Sequence, residues 1–132
     1  MSVFVDTSAL LAILDRKEQN HPAAKAVWED LISRGEDLVC TNYILVETFA
    51  LVQSRLGMEA VRAFQEDGVP LLRIEWMDAQ SHASSVAALL IAARRQLSLV
   101  DCASFDAMRR LGITTVFTFD KHFAEQGFSQ IP

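Results

Sequence analysis

Four carboxylates stand where their neighbours in sequence give them chemistry to do. Asp6 follows the apolar run Val3-Phe4-Val5 and precedes the helical run Ala9-Leu10-Leu11-Ala12-Ile13-Leu14. Asp120 follows Thr114-Thr115-Val116-Phe117-Thr118-Phe119, the clearest strand in the chain. Both acids are therefore expected at carboxyl ends of strands, the edge where open α/β sheets bind ligands. They meet there if their strands are neighbours, although an aspartate after a strand also suits an ordinary turn. Glu47 lies inside Tyr43-Ile44-Leu45-Val46-Glu47-Thr48-Phe49-Ala50-Leu51-Val52, a helix apolar nearly all round and so expected to be buried. A carboxylate there loses hydration and must be protonated, paired or on a metal. A narrow polar stripe with Gln53 or Arg55 would house it without chemistry. Asp101 closes Ser98-Leu99-Val100-Asp101, a capping box that accounts for it structurally, yet the start of that helix faces the same sheet edge.

If the four converge, their repulsion is severe, since two charges ~4 Å apart cost about 4 kcal/mol at an effective dielectric of 20. Either some take up protons or divalent cations neutralise them. A ligand set of oxygens, without Cys or His, suits Mg²⁺ or Mn²⁺. Such ions clamp phosphate oxygens and activate water for in-line attack on a phosphodiester, which is nuclease chemistry. Asp106 lies about 140° round its helix from Asp101. It precedes Arg110 by one turn and reads as half of a surface ion pair. His21, His82 and His122 show no paired spacing, so no ligand or base role is expected of them; His122 comes nearest, being close to Asp120.

Positioning these acids needs a sheet with helices on both faces. The 132 residues suit a single domain, 1–132. Strands are expected at Val3–Val5, Leu38–Cys40, Leu71–Ile74 and Thr114–Phe119, with a short edge strand at Phe128–Ile131. Between them come a helix begun by Thr7 or Ser8, a helix from Pro22 to Gly35, and one from Asn42 to Leu56 capped by Thr41. Further helices are expected at Glu59–Glu66, from Asp78 to an end at Arg94-Arg95, and at Leu99–Leu111, closed by Gly112. Alternating strands and helices imply a parallel sheet, an α/β fold.

The totals limit the partners. A net charge of −5 excludes gripping nucleic acid through bulk positive charge but not a nuclease, whose acids bind cations. Hydrophobic residues make up 51% of the chain, and the mean hydropathy is +0.19. Both are high for a lone domain, and no run is long enough for a bilayer, so a partner is expected to cover apolar surface. Asp6 interrupts an N-terminus without basic residues, which argues against a signal peptide; Cys40 and Cys102 are then read as reduced cytoplasmic thiols.

Four motifs carry a family likeness: Phe4-Val5-Asp6-Thr7-Ser8-Ala9-Leu10, Leu45-Val46-Glu47-Thr48, Leu97-Ser98-Leu99-Val100-Asp101-Cys102-Ala103-Ser104-Phe105 and Phe117-Thr118-Phe119-Asp120-Lys121-His122-Phe123. In this order and spacing they resemble a PIN-domain ribonuclease of the VapC-like toxin type, from bacterial and archaeal toxin–antitoxin pairs. The resemblance covers essentially the whole chain. It implies a three-layer α/β/α fold around a mostly parallel five-stranded sheet, with Asp6, Glu47, Asp101 and Asp120 in an acidic pocket. Asp6 and Asp101 would be the Mg²⁺ ligands, Asp120 would complete the shell through water, and Glu47 would position or deprotonate the attacking water. RNA would be the substrate, cut endonucleolytically, with a small antitoxin as partner and a homodimer as the assembly. The chain departs from the pattern at Arg94-Arg95, where relatives often carry an acid and where a basic pair is available to RNA phosphate, and at Asp106, where an apolar residue is usual.

Two other classes compete. A non-catalytic PIN-like module could use the same apolar surplus to hold a protein. A phosphatase or phosphotransfer domain could use Asp6 as nucleophile, but Ser8 stands where a second aspartate is wanted, and neither of these schemes explains Glu47.

Overall fold

Short apolar runs broken by helical segments give five strands: β1 (Ser2–Val5), β2 (Asp37–Thr41), β3 (Arg73–Glu75), β4 (Thr115–Phe117) and β5 (Ser129–Ile131). In the computed structural model, which describes residues 1–132, they form one sheet of order β3-β2-β1-β4-β5 with every pairing parallel. Seven α-helices connect them: α1 (Thr7–Leu14), α2 (His21–Ser33), α3 (Asn42–Leu56), α4 (Met58–Ala63), α5 (Ala79–Ala92), α6 (Leu99–Leu111) and α7 (His122–Glu125). α1 packs on α2 and α3, and α3 on α4, while α5 packs on α6; the right-handed crossovers that parallel strands require would put the first group on one face and the second on the other, the three layers expected.

β1 is central and pairs with β4, so Asp6 leaves the sheet beside the end of β4. Val3, Phe4, Val5, Val39, Val116 and Phe117 are wholly buried, as strands covered on both faces must be. Phe123, also wholly buried, lies edge-on to Phe105 at 5.0 Å between ring centroids and 6.4 Å from Phe4. That packing fixes α7, whose first residue is His122.

Several expectations are corrected. Neither Thr7 nor Ser8 is the N-cap of the first helix: Thr7 is its first helical residue, Asp6 is the cap, and its carboxylate accepts the Ser8 N–H. β4 stops at Phe117, two residues early, because Thr118 makes the last ladder bond, to Ile131 O, and Phe119 N–H turns to the Ser8 hydroxyl. α4 ends at Ala63 and continues as a π-helical turn, Phe64–Gly68, and a 3₁₀ turn, Val69–Leu71, which delays β3 to Arg73. α7 was not foreseen at all. The helix around Glu47 is not buried all round: Ile44, Thr48 and Val52 form one covered stripe, while Val46 is 69% exposed.

Candidate active site

Asp6 sets the site. It is 5% exposed, and one of its oxygens, Oδ2, takes every hydrogen bond it receives: from Ser8 Oγ at 2.8 Å, Thr118 Oγ1 at 2.9 Å and Ser8 N at 3.4 Å. The other oxygen, Oδ1, is left for a ligand. The two hydroxyls also reach back to the loop after β4, since Ser8 Oγ accepts the Phe119 N–H at 3.0 Å and Thr118 Oγ1 accepts the Asp120 N–H at 2.9 Å. Asp6 and the backbone that carries Asp120 are thus tied together through two side-chain oxygens. In the sheet register Val5 faces Phe117, so Thr118 is the counterpart of Asp6 on the neighbouring strand, a place the strand-like sequence had suggested for Asp120.

Asp101 arrives from the opposite layer. The capping box is present: Ser98 Oγ accepts the Asp101 N–H at 3.0 Å, and Asp101 Oδ2 accepts the Ser98 N–H at 3.1 Å. This does not remove Asp101 from the site. One oxygen is enough for the cap, and the residue lies with Asp120 and His122 in a group whose ligand atoms are all within 4.8 Å of one another. The two explanations open at the sequence level hold together.

The electrostatics agree. Burial, helped by the charge of Asp101, raises the Asp6 carboxyl to about 6 against the pull of the Ser8 and Thr118 hydroxyls. Asp101 is raised chiefly by burial, then by the charge of Asp120. The charged forms of Asp6 and Asp101 are therefore both disfavoured in the fold, a cost that a cation would relieve. The donors fit a divalent metal, being mostly hard oxygens with an uncommitted one on Asp6.

The remaining residues divide. Glu47 is half-buried on α3, on the flank of the Ile44–Thr48–Val52 stripe and outside the tight Asp101–Asp120–His122 group. Asp106 accepts from Arg110 Nε at 2.9 Å, as its spacing indicated, and Arg110 also reaches Glu75 at 3.4 Å. Arg94 is not free for a ligand; it pairs with Glu125 at 3.1 Å. His21 Nδ1 donates to the Ala12 carbonyl at 2.7 Å, pinning α2 to α1, and His82 shares a hydrogen bond with the Tyr43 hydroxyl. Both cysteines are buried, which pushes the Cys40 thiol up to about 12 and raises Cys102, so neither is a nucleophile.

Sequence reasoning missed Thr118 and His122. Thr118 was hidden because a β-branched residue beside aromatics reads as more strand. His122 was set aside for want of a paired histidine, whereas its partners are two aspartates.

The sequence matches the PIN domain over residues 3–129. The chain belongs to the PIN-domain family. This PIN domain is 30% identical over 130 residues to the 23S rRNA-specific endonuclease VapC20 of Mycobacterium tuberculosis, covering 98% of this chain and 97% of that one. It is also 30% identical over 127 residues to the ribonuclease VapC26 of the same organism, covering 92% and 90%. The crystal structure of VapC20, a Sarcin-Ricin loop cleaving toxin, superposes with a TM-score of 0.85 at 31% identity over 96% of this chain and 95% of the other. The VapC likeness and the α/β/α architecture expected from the four motifs are both borne out.

Proposed function

We propose that this PIN domain is a Mg²⁺-dependent endoribonuclease, the toxin of a toxin–antitoxin pair. The observation that supports the reading is that Thr118 Oγ1 ties Asp6 to the backbone of Asp120, while Asp120 in turn lies with Asp101, from a third part of the chain, in a group whose ligand atoms are within 4.8 Å of one another. Asp6 and Asp101 would hold the cation, with Asp120 completing its shell through water. Mn²⁺ would substitute for Mg²⁺, since both take oxygen ligands. The ion would supply Lewis-acid stabilisation of the phosphate and a more acidic bound water. Glu47, on the flank of α3, would orient or deprotonate that water. The protein's own contribution is placement: Ser8 and Thr118 hold Asp6, and the capping box holds Asp101.

The names of VapC20 and VapC26 support RNA as the substrate class. A small antitoxin would cover the active-site face and a second copy of the chain would cover apolar surface elsewhere. The test is cleavage of a structured RNA with Mg²⁺ by the wild type, Asp6→Asn and Asp101→Asn. Each substitution is expected to lower the rate on the order of 100-fold or more by removing a ligand. Equal behaviour of the three proteins would favour a binding module instead.

A further inference from the structure

His122 stands between carboxylates without hydrogen-bonding to either, and its ring groups with Asp101 and Asp120 as metal ligands do. Its side chain is 12% exposed, and its two nitrogens face different groups: Nε2 stands 3.8 Å from Asp120 Oδ1, and Nδ1 stands 3.7 Å from Glu125 Oε2. Neither separation is a hydrogen bond, and Nδ1 is buried without any partner. Asp101, 9% exposed, likewise has one oxygen, Oδ1, that accepts no hydrogen bond.

A distance too long for a hydrogen bond suits two ligands of one ion. Atoms each about 2.2 Å from a cation stand roughly 3.1 to 3.8 Å apart when they subtend angles of about 90° to 120°. Glu125 stands on the Nδ1 side of the ring at 3.7 Å, where a small approach on metal binding would let it accept the Nδ1–H as the outer carboxylate of metal-bound histidines does. Arg94, paired with Glu125 at 3.1 Å, holds that carboxylate in place. The Phe123 packing fixes the backbone beneath the ring.

We propose that the His122 imidazole is a direct ligand, with Asp101 and Asp120, for a divalent transition-metal cation, in a position separate from the one formed by Asp6 and Asp101. The inference rests on reading the acidic cup as a cation site. Asp101 is shared by the two positions, and Glu125 and Arg94 are positioning residues for His122. Because imidazole favours transition metals over Mg²⁺, His122 discriminates between cations that an all-carboxylate cup would treat alike.

Mn²⁺ alone, added to the purified full chain, is the probe, and the readout is the electron spin echo envelope of the bound ion. Wild type is expected to show nitrogen modulation from a coordinated imidazole, and His122→Gln, which offers an oxygen instead, to lose it. His122→Gln should also weaken Mn²⁺ binding about tenfold while changing Mg²⁺ binding less than about threefold. Mn²⁺ that binds and depends on Asp101 but shows no nitrogen modulation overturns the role of His122 and leaves the nuclease reading standing. A wild type that binds no Mn²⁺ overturns both. Asp120→Asn, which leaves all three histidines in place, should lose the same modulation, and a folded Asp120→Asn that keeps it overturns the assignment even if His122→Gln does not fold.

Discussion

At the scale of single residues, the site is defined by how little hydration its acids keep. Asp6 has a folded carboxyl pushed up to about 6 from 3.8, so the folded chain holds a proton that the unfolded chain releases between those values. Metal-free stability should therefore fall as pH rises from about 3.8 through about 6, with the whole penalty present above that range. The shift corresponds to ~3 kcal/mol at neutral pH. Asp6→Asn keeps an oxygen for Ser8 and Thr118 and removes the charge. Thermal melts in chelator should show a rise of several degrees at pH 7.5 and a smaller difference near pH 4. Thr118→Val should act in the opposite sense. It removes the donor to Asp6 and the acceptor for Asp120 N–H at a wholly buried position, and should cost about 1–3 kcal/mol. Its cleavage rate should fall even at temperatures where it is fully folded, as circular dichroism alongside kinetics would show. Asp6 and Asp101 were visible in the sequence because each opens a helix next to an apolar run. Thr118 was not, because nothing local tells a residue that ends a strand from one that continues it.

At the scale of elements, the site is assembled by helix starts and strand ends, and these differ in legibility. Thr41, Asp78 and Ser98 were readable as N-caps, and all three side chains accept the expected backbone N–H. Gly112, with φ of 69°, closes α6 as its position indicated, because a left-handed residue without a Cβ strains least there. The four-residue α7 was illegible: so short a helix has no periodicity to detect, and burial of Phe123 holds it, a tertiary effect. β3 slipped because the π-helical turn adds residues that a regular helix pattern does not count. The cap on α6 matters most for function, since it fixes Asp101. Ser98→Ala should cost ~1 kcal/mol in a denaturant titration. It should lower cation affinity more than that loss of stability alone implies, by freeing Asp101 to turn, which calorimetric Mn²⁺ titration of the folded variant would measure.

For the molecule as a whole, the apolar surplus in the composition has a location. On α5 only Ser85 is fully buried, while Leu90 and Ile91 are 72% and 85% exposed. Val46 on α3 and Trp76 in the loop after β3 are each 69% exposed. No helix is long and apolar enough to cross a membrane. The homodimer proposed above would seat its second copy on α5, and light scattering should then give twice the chain mass. Leu90→Glu with Ile91→Glu should return it to monomer with an unchanged melt of the monomeric fold, since neither side chain belongs to the core. The sheet order brought β1 and β4 together, and that adjacency was the step a sequence alone could not supply: strand pairing depends on contacts far apart along the chain. What the central account requires is an ion in the cup. Crystals grown with Mn²⁺ and measured at its absorption edge test this directly. The account predicts an anomalous peak within coordination distance of both Asp6 and Asp101, and a site empty of anomalous signal at saturating Mn²⁺ would contradict it.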